Sequence, residues 1–381
     1  MIDSSDIENF NLSKLHSKKP PSKGLVKEFV TEQAPLIVFV LGMAFASAYL
    51  QHGFLLNEIS FPLAGVTVPI WHLIWMGFWT GYTMAIVGEA AGIFALPYTM
   101  SVLMFSNSHV TPTTQLLTLV NPLGALFGFW RNRQMNFYLA LYVCLGGIVG
   151  GLIGPFIRVN FLSDVKPFTL AVGLALVFAG SYLCFAAIKG FRNRFATSGI
   201  EAKFQREVDN QRALGLAPSG IPPGIRINTF KISRTRITIE FWDEKWDISK
   251  IALFSTGIGV GIISAALGVG GGFLLVPIFA AIYGLPMYVL VAATIPYVIV
   301  LSGVGIFTYS LVLPLFSSIS VAPEWSWGFF AASGGILGSW GAAKTQKFVP
   351  EHSLKIMLGS VTGIAGFLFV LNFFIELPFR L

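Results

Sequence analysis

Two short stretches hold the residues best suited to chemistry: Gly88-Glu89-Ala90-Ala91-Gly92 and Gly268-Val269-Gly270-Gly271-Gly272. A proline stands beyond each, so that Gly88, Gly92 and Pro97 align with Gly268, Gly272 and Pro277 without a gap. A break of this kind restarts a helix. The first N–H groups of the new helix lack an intrahelical acceptor, and its dipole is positive there. Glycine also lets a ligand come close to the backbone. Thr118, Asn121, Thr294 and Ser302 lie on the segments that follow the two breaks. Their hydroxyl and amide groups could serve a ligand, or could satisfy carbonyls of their own helices. All of this is binding chemistry. For bond-making chemistry the chain offers no Ser–His–Asp set, phosphate loop or dinucleotide fingerprint in a credible context, and no His/Cys/Asp cluster with metal spacing. No enzyme activity, metal or cofactor is expected.

Glu89 is the only acid well inside an apolar run. Burying an ionised carboxylate is costly, so such residues are usually functional. Glu89 could carry a proton, or it could be a neutral carboxyl bonded to backbone or standing in a wet vestibule. Asn121-Pro122 and Ile295-Pro296 set a proline in each helix after a break, as a moving wall or a static kink. His72 and His109 read as interfacial residues, and Trp71, Trp75 and Trp79 as an aromatic belt and helix face. Cys144 and Cys184 both fall in apolar runs and imply no disulfide framework.

The elements that must position these residues follow from composition. Of the 381 residues 54% are hydrophobic and 11% charged, against about 25% charge in a soluble domain. A water-soluble protein is excluded. Forty glycines fit close helix packing in a polytopic helical membrane protein. The long apolar runs disfavour a transmembrane barrel, whose strands alternate. We read the runs as Ala34–Leu50, Trp71–Phe105, Thr113–Trp130, Phe137–Ile157, Pro167–Ile188, Ile251–Tyr283, Met287–Leu313, Trp325–Ala343 and Leu354–Ile375. Trp71–Phe105 and Ile251–Tyr283 would each make about 50 Å of helix at ~1.5 Å per residue, too long for one straight span. With a break near the middle, each is expected to be a hairpin of two short helices.

Lysine and arginine fill the tail before Ala34, Arg131–Arg133, Lys189–Lys250 and Lys344–Lys355, and are absent from Gln51–Ile70, Ser106–Pro112 and Pro314–Pro323. With the basic connections inside, the first hairpin starts and ends outside and the second starts and ends inside. Arg158 and Lys166 bracket an outside turn, against the trend. Further on, Gly146-Gly147-Ile148-Val149-Gly150 matches Gly334-Gly335-Ile336-Leu337-Gly338, and Thr118 and Thr294 fall at similar places after each hairpin. The fold expected is therefore an all-α polytopic membrane protein with two inverted repeats. Each repeat is a broken-helix hairpin plus three transmembrane helices, with one extra N-terminal span. Residues 1–33 form a charge-balanced cytoplasmic tail rather than a cleavable signal, 34–50 the extra helix, 71–190 the first repeat, 191–250 a cytoplasmic insert and 251–376 the second repeat. Arg192–Lys250 holds eleven basic and seven acidic residues, with a short β-hairpin expected over Arg226–Trp242. Its basic excess follows the positive-inside rule, and without any base-reading motif no nucleic-acid partner is expected.

Inverted repeats with broken helices are a mark of secondary transporters. At Gly268-Val269-Gly270-Gly271-Gly272 with Pro277, and the degenerate copy at Gly88–Pro97, the sequence resembles the sulfite exporter TauE/SafE family over most of residues 71–375. The resemblance implies an inner-membrane carrier, multi-pass, for a small sulfur-containing anion such as sulfite or an organosulfonate. Its partners would be that anion, the lipid bilayer, and protons if Glu89 relays them. An anion at the midplane needs positive potential and donors, and no lysine or arginine lies deep inside an expected span. The helix starts at the two hairpin tips are then the source. The substrate-binding set is Glu89, Ala90, Ala91, Gly92, Gly270, Gly271, Gly272, Thr118, Asn121, Thr294 and Ser302, with Glu89 for proton coupling. Gly146–Gly154 and Gly334–Gly341 are expected to serve helix packing instead. An anion channel, or a scaffold acting through its cytoplasmic insert, is the alternative.

Overall fold

The computed structural model describes residues 30–31, 33–53, 58–87, 91–123, 135–194, 228–241, 244–283, 285, 287–317, 321–345 and 351–375. The chain opens with α1 (Ala34–His52), a β-hairpin of β1 (Glu58–Phe61) and β2 (Val66–Pro69), and then α2 (Ile70–Val87) and α3 (Gly92–Ser101). It continues through α4 (Val110–Val120), α5 (Phe137–Phe161) and α6 (Val165–Arg194). Strands β3 (Asn228–Ile232), β4 (Arg236–Phe241) and β5 (Glu244–Ser249) lead into α7 (Lys250–Leu267) and α8 (Gly272–Tyr283). Helix α9 (Met287–Phe307) passes through a π-helical turn, Thr308–Val312, into α10 (Leu313–Phe316), and α11 (Trp325–Thr345) and α12 (Glu351–Phe374) follow. Among the described residues six helices are long and apolar enough to cross a membrane. Their outward faces carry large apolar side chains such as Val38, Phe39, Phe185, Val361 and Phe367, as lipid contact requires.

The second long apolar run is broken where its glycines stand, and in the first run the described helices stop at Val87 and resume at Gly92. Helices α2 and α3 are separate, and so are α7 and α8. The cause is clearest in the second break, where Gly268, Gly270 and Gly271 have φ of 81°, 79° and 81°. Three left-handed residues within four end a helix, and only glycine adopts that region without strain. The Gly268 N–H closes α7 on the Ser264 carbonyl at 2.8 Å.

Small residues then set which helices pair. Helices α5 and α7, α2 and α11, and α6 and α12 pack most extensively. At each crossing a glycine admits the partner's backbone: Gly150 at Gly261, Gly338 at Phe78, Gly180 at Gly363. A methyl group at Gly150 would lie 2.7 Å from the Gly261 backbone, too close for any real side chain. Gly146 and Gly154 meet α7 in the same way and Gly334 meets α2, whereas Gly341 faces open space. These pairs leave α4 and α9 in contact with each other; α4 also packs on α11, and α9 on α5.

The structure departs from the sequence reading in four places. The segment between α1 and α2 holds the antiparallel hairpin β1–β2, which pairs Ile59 with Val68. The insert contains three antiparallel strands in the order β3-β4-β5, one more than expected and reaching Ser249. Its Ile237, Ile239, Phe241 and Ile248 are buried together with Leu139 of α5 and Leu253 of α7. The charged stretch thus hides an apolar face, which the alternation along β4 supplies. Pro122 lies just past the C-cap Asn121 of α4 rather than inside a helix, whereas Pro296 is inside α9. Finally, α5 runs to Phe161, one turn beyond the expected Ile157, and takes Arg158 into the helix.

Candidate functional site

The two breaks meet. Gly92, the first residue of α3, lies against both Thr118 of α4 and Val269 of the second break. A methyl group on Gly92 would sit 2.7 Å from Thr118 Cγ2 and 3.0 Å from Val269 Cα. Gly270 presses on the same threonine, its hypothetical methyl 3.0 Å from Thr118 Cβ. Thr118 is therefore clasped by both tips. Its hydroxyl donates to the Gln115 carbonyl at 2.9 Å and shares a 2.8 Å hydrogen bond with Ser302 Oγ of α9. Both hydroxyls are fully buried.

The second tip packs on further polar groups. Gly268 abuts the Thr111 carbonyl and Thr114 Oγ1 of α4. Gly271 abuts Tyr297 of α9 and Ser264 Oγ of α7, and that oxygen has no hydrogen-bond partner among the described residues. The Tyr297 hydroxyl donates to the Gly257 carbonyl at 2.9 Å. Gly272 begins α8, and the Gly271 carbonyl accepts from the Leu274 and Leu275 N–H groups at 3.2 and 3.0 Å, so the unmet donors of this helix start are those of its first two residues. Helix α3 begins at Gly92, after a buried Ala91 whose carbonyl accepts from the Phe94 and Ala95 N–H groups at 3.2 and 3.0 Å.

Of the residues singled out from sequence, the structure brings Gly92, Gly270 and Ser302 to Thr118; Ala91 precedes Gly92 in the chain, and Gly271, followed by Gly272, packs on Tyr297, Leu301 and Ser264. Asn121 is buried one turn beyond Thr118, and its side chain faces Gly335 of α11 instead. Neither its Nδ2 nor its Oδ1 has a hydrogen-bond partner among the described residues. Thr294 is buried on α9, eight residues before Ser302 and so about 12 Å away along the axis at ~1.5 Å per residue. It belongs to a different level of the bundle. Glu89 and Ala90 lie outside the described residues.

Sequence reasoning missed several buried polar residues. Gln115 is 1% exposed; its Nε2 donates to the Ala265 carbonyl at 3.2 Å and its Oε1 has no partner among the described residues. The signal was present: Thr111, Thr114, Gln115, Thr118 and Asn121 recur at helical spacing and make one polar stripe. Arg158 was read as an outside-turn residue and is 0% exposed. A run counted to Ile157 stops at the charge, whereas the helix continues through Val159 to Phe161 and carries Arg158 in its last turn. His72 and His109 both bond locally, His72 Nε2 with the Tyr98 hydroxyl at 2.6 Å and His109 Nδ1 with the Ala322 carbonyl at 2.8 Å. Trp71 and Trp75 are exposed on α2, as a belt requires.

The arrangement combines two helix starts, paired hydroxyls and close backbone. It can supply hydrogen bonds and positive potential to a small polar solute, and its buried side chains offer no nucleophile–base pair among the described residues. Comparison with known proteins gives no match to a curated protein and none to a solved structure. The family model described as sulfite exporter TauE/SafE matches residues 73–369, and the chain therefore belongs to that family as a multi-pass membrane protein.

Proposed function

We propose that this chain exports a small sulfur-containing anion, sulfite or an organosulfonate, by alternating access, with the anion bound where the two hairpin tips meet. The family is one of membrane transporters for sulfite-type anions. The observation that carries the finer reading is the convergence of Gly92 and Gly270 on Thr118, whose hydroxyl is paired with that of Ser302. Helices α3 and α8 start at or just after the glycines that touch Thr118, and a helix start carries roughly half an elementary charge of positive potential. An oxyanion between them exchanges water for N–H and O–H donors, which its burial requires.

Support for an inverted repeat comes from which helices pair. Helix α2 opens the first half and packs on α11 of the second; α7 opens the second half and packs on α5 of the first. The same swap holds for single residues. Gly335 of α11 receives Asn121, three residues after Thr118, while Gly147 of α5 receives Tyr297, three residues after Thr294. The closing helices α6 and α12 pair with each other. In such an arrangement one half rocks against the other around a fixed central site. Glu89, in the first tip, is the residue we assign to proton coupling.

The test is sulfite flux from proteoliposomes. Thr118→Val combined with Ser302→Ala removes both hydroxyls at nearly constant volume and should abolish flux while the protein still inserts. Unchanged flux in the double variant would remove the tip junction from the transport path.

A further inference from the structure

Arg158 lies in the last turn of α5 with its side chain wholly buried. Its Nε donates to Thr111 Oγ1 of α4 at 3.1 Å, and its guanidinium carbon stands 3.8 Å from the centre of the Phe168 ring. The two terminal amino groups, Nη1 and Nη2, have no hydrogen-bond partner among the described residues. No carboxylate lies within ion-pair distance of it among those residues either. An isolated buried guanidinium carries a desolvation cost of several kcal/mol, so such a group inside a membrane bundle ordinarily serves an ion path.

The surroundings point the same way. Thr111, which holds Nε, also presents its carbonyl to Gly268, the first residue of the second tip. The guanidinium is thus one residue removed from the tip junction. Tyr309 stands in the π-helical turn and donates its hydroxyl to the Ala265 carbonyl at 3.2 Å. Gln115 donates to that same carbonyl. A π turn costs helix regularity and is found mostly where a side chain must be re-aimed at a functional site. Here it packs on α5, which carries the one arginine that is buried with two unpartnered ends among the described residues.

We propose that Arg158 is a second holding point for the transported anion, on the flank of the second tip, gripping a small oxyanion through Nη1 and Nη2. The planar fork of guanidinium matches two oxygens of one anion, as in sulfite, sulfate or a carboxylate, and a monatomic anion gains only one contact. The anion supplies the countercharge, and Thr111 and Phe168 hold the fork in place. This inference rests on the anion-transport reading above and adds a charged station to it.

The experiment is equilibrium binding of sulfite, sulfate and chloride to the purified full chain at constant ionic strength. In the wild type, sulfite and sulfate should bind at least about tenfold tighter than chloride. Arg158→Gln should weaken sulfite binding by tenfold or more, on the order expected for losing charge-assisted hydrogen bonds. Arg158→Lys keeps the charge but not the fork, and should lose the preference for oxyanions over chloride. Where Arg158→Gln does not insert, the lysine variant decides. A purely structural Arg158 would change the melting temperature and leave the dissociation constant alone, and that outcome overturns the proposal. Chloride binding as tightly as sulfite in the wild type overturns it too. A wild type that binds none of the three anions ends the transport reading as well, whereas sulfite binding untouched by both substitutions ends only this inference.

Discussion

Thr118 of α4 and Ser302 of α9 share a 2.8 Å hydrogen bond at the place where two helix breaks, some 180 residues apart in the chain, come together. Gly92 touches Thr118 from one break and Gly270 from the other. The pair therefore links two helices, and through Thr118 it meets both tips.

The proposed site assigns the role at this position to the hydroxyl rather than to bulk. Thr118→Ser should retain sulfite transport and Thr118→Val should lose most of it. The loss of one buried hydrogen bond should cost about 1 kcal/mol of stability, too little to unfold the chain. Flux and melting temperature measured on the same preparations separate the two effects.

Glycines at the tips and glycines elsewhere should respond differently. Gly92→Ala places a methyl group 2.7 Å from Thr118 and 3.0 Å from the Val269 backbone, forcing the tips apart. Gly271→Ala adds left-handed strain at φ 81°, about 1–2 kcal/mol, to a clash with Tyr297. Both should insert and fail to transport. Gly341→Ala meets nothing within 4 Å and should behave as wild type. Equal activity of all three would detach the tips from function.

Proton coupling is tested at Glu89. Glu89→Gln keeps the shape and hydrogen bonding of a protonated acid, so anion binding should persist. The dependence of transport on pH between about 5 and 8, a range that brackets a raised carboxyl pKa, should flatten. A profile matching the wild type would leave Glu89 a structural residue.

Glu324 should matter for stability. Fully buried just before α11, it accepts through Oε1 from the Leu63 N–H at 2.6 Å and the Ala64 N–H at 3.2 Å, holding the β1–β2 turn. Asn107 Nδ2 donates to the Leu63 carbonyl at 2.7 Å and Trp327 packs on Phe61, so the turn is tied from three sides. Glu324→Ala should lower stability by about 1–3 kcal/mol, read as a drop in melting temperature with intact membrane insertion.

The insert cannot be removed without consequence. Phe241 and Ile239 of β4 are fully buried in one cluster with Leu139 and Leu253. Phe241→Ala should cost about 3–5 kcal/mol. Deletion of Arg192–Lys250 would then destroy the fold and say nothing about a scaffold role. Substituting Phe230, 57% exposed on β3, with serine is the better probe, and should leave sulfite flux unchanged in a transporter.

The apolar runs, the two breaks and the glycine stripes were legible because each depends on local chemistry. A run of apolar residues becomes a helix in lipid whatever its neighbours are, and three left-handed residues end a helix wherever they occur. The glycine-rich break at Gly268–Gly272 was legible from the chain, and the structure adds that Gly268, Gly270 and Gly271 are left-handed. Which helix meets which depends on surfaces far apart in sequence. Only packing decided that both tips close on Thr118, that Asn121 turns toward Gly335, and that the charged insert buries Phe241. The same holds for Arg158. A charge near the end of an apolar run reads as an end, because in isolation water is its best partner. Thr111 and Phe168, brought from α4 and α6, are what allow α5 to carry it inside.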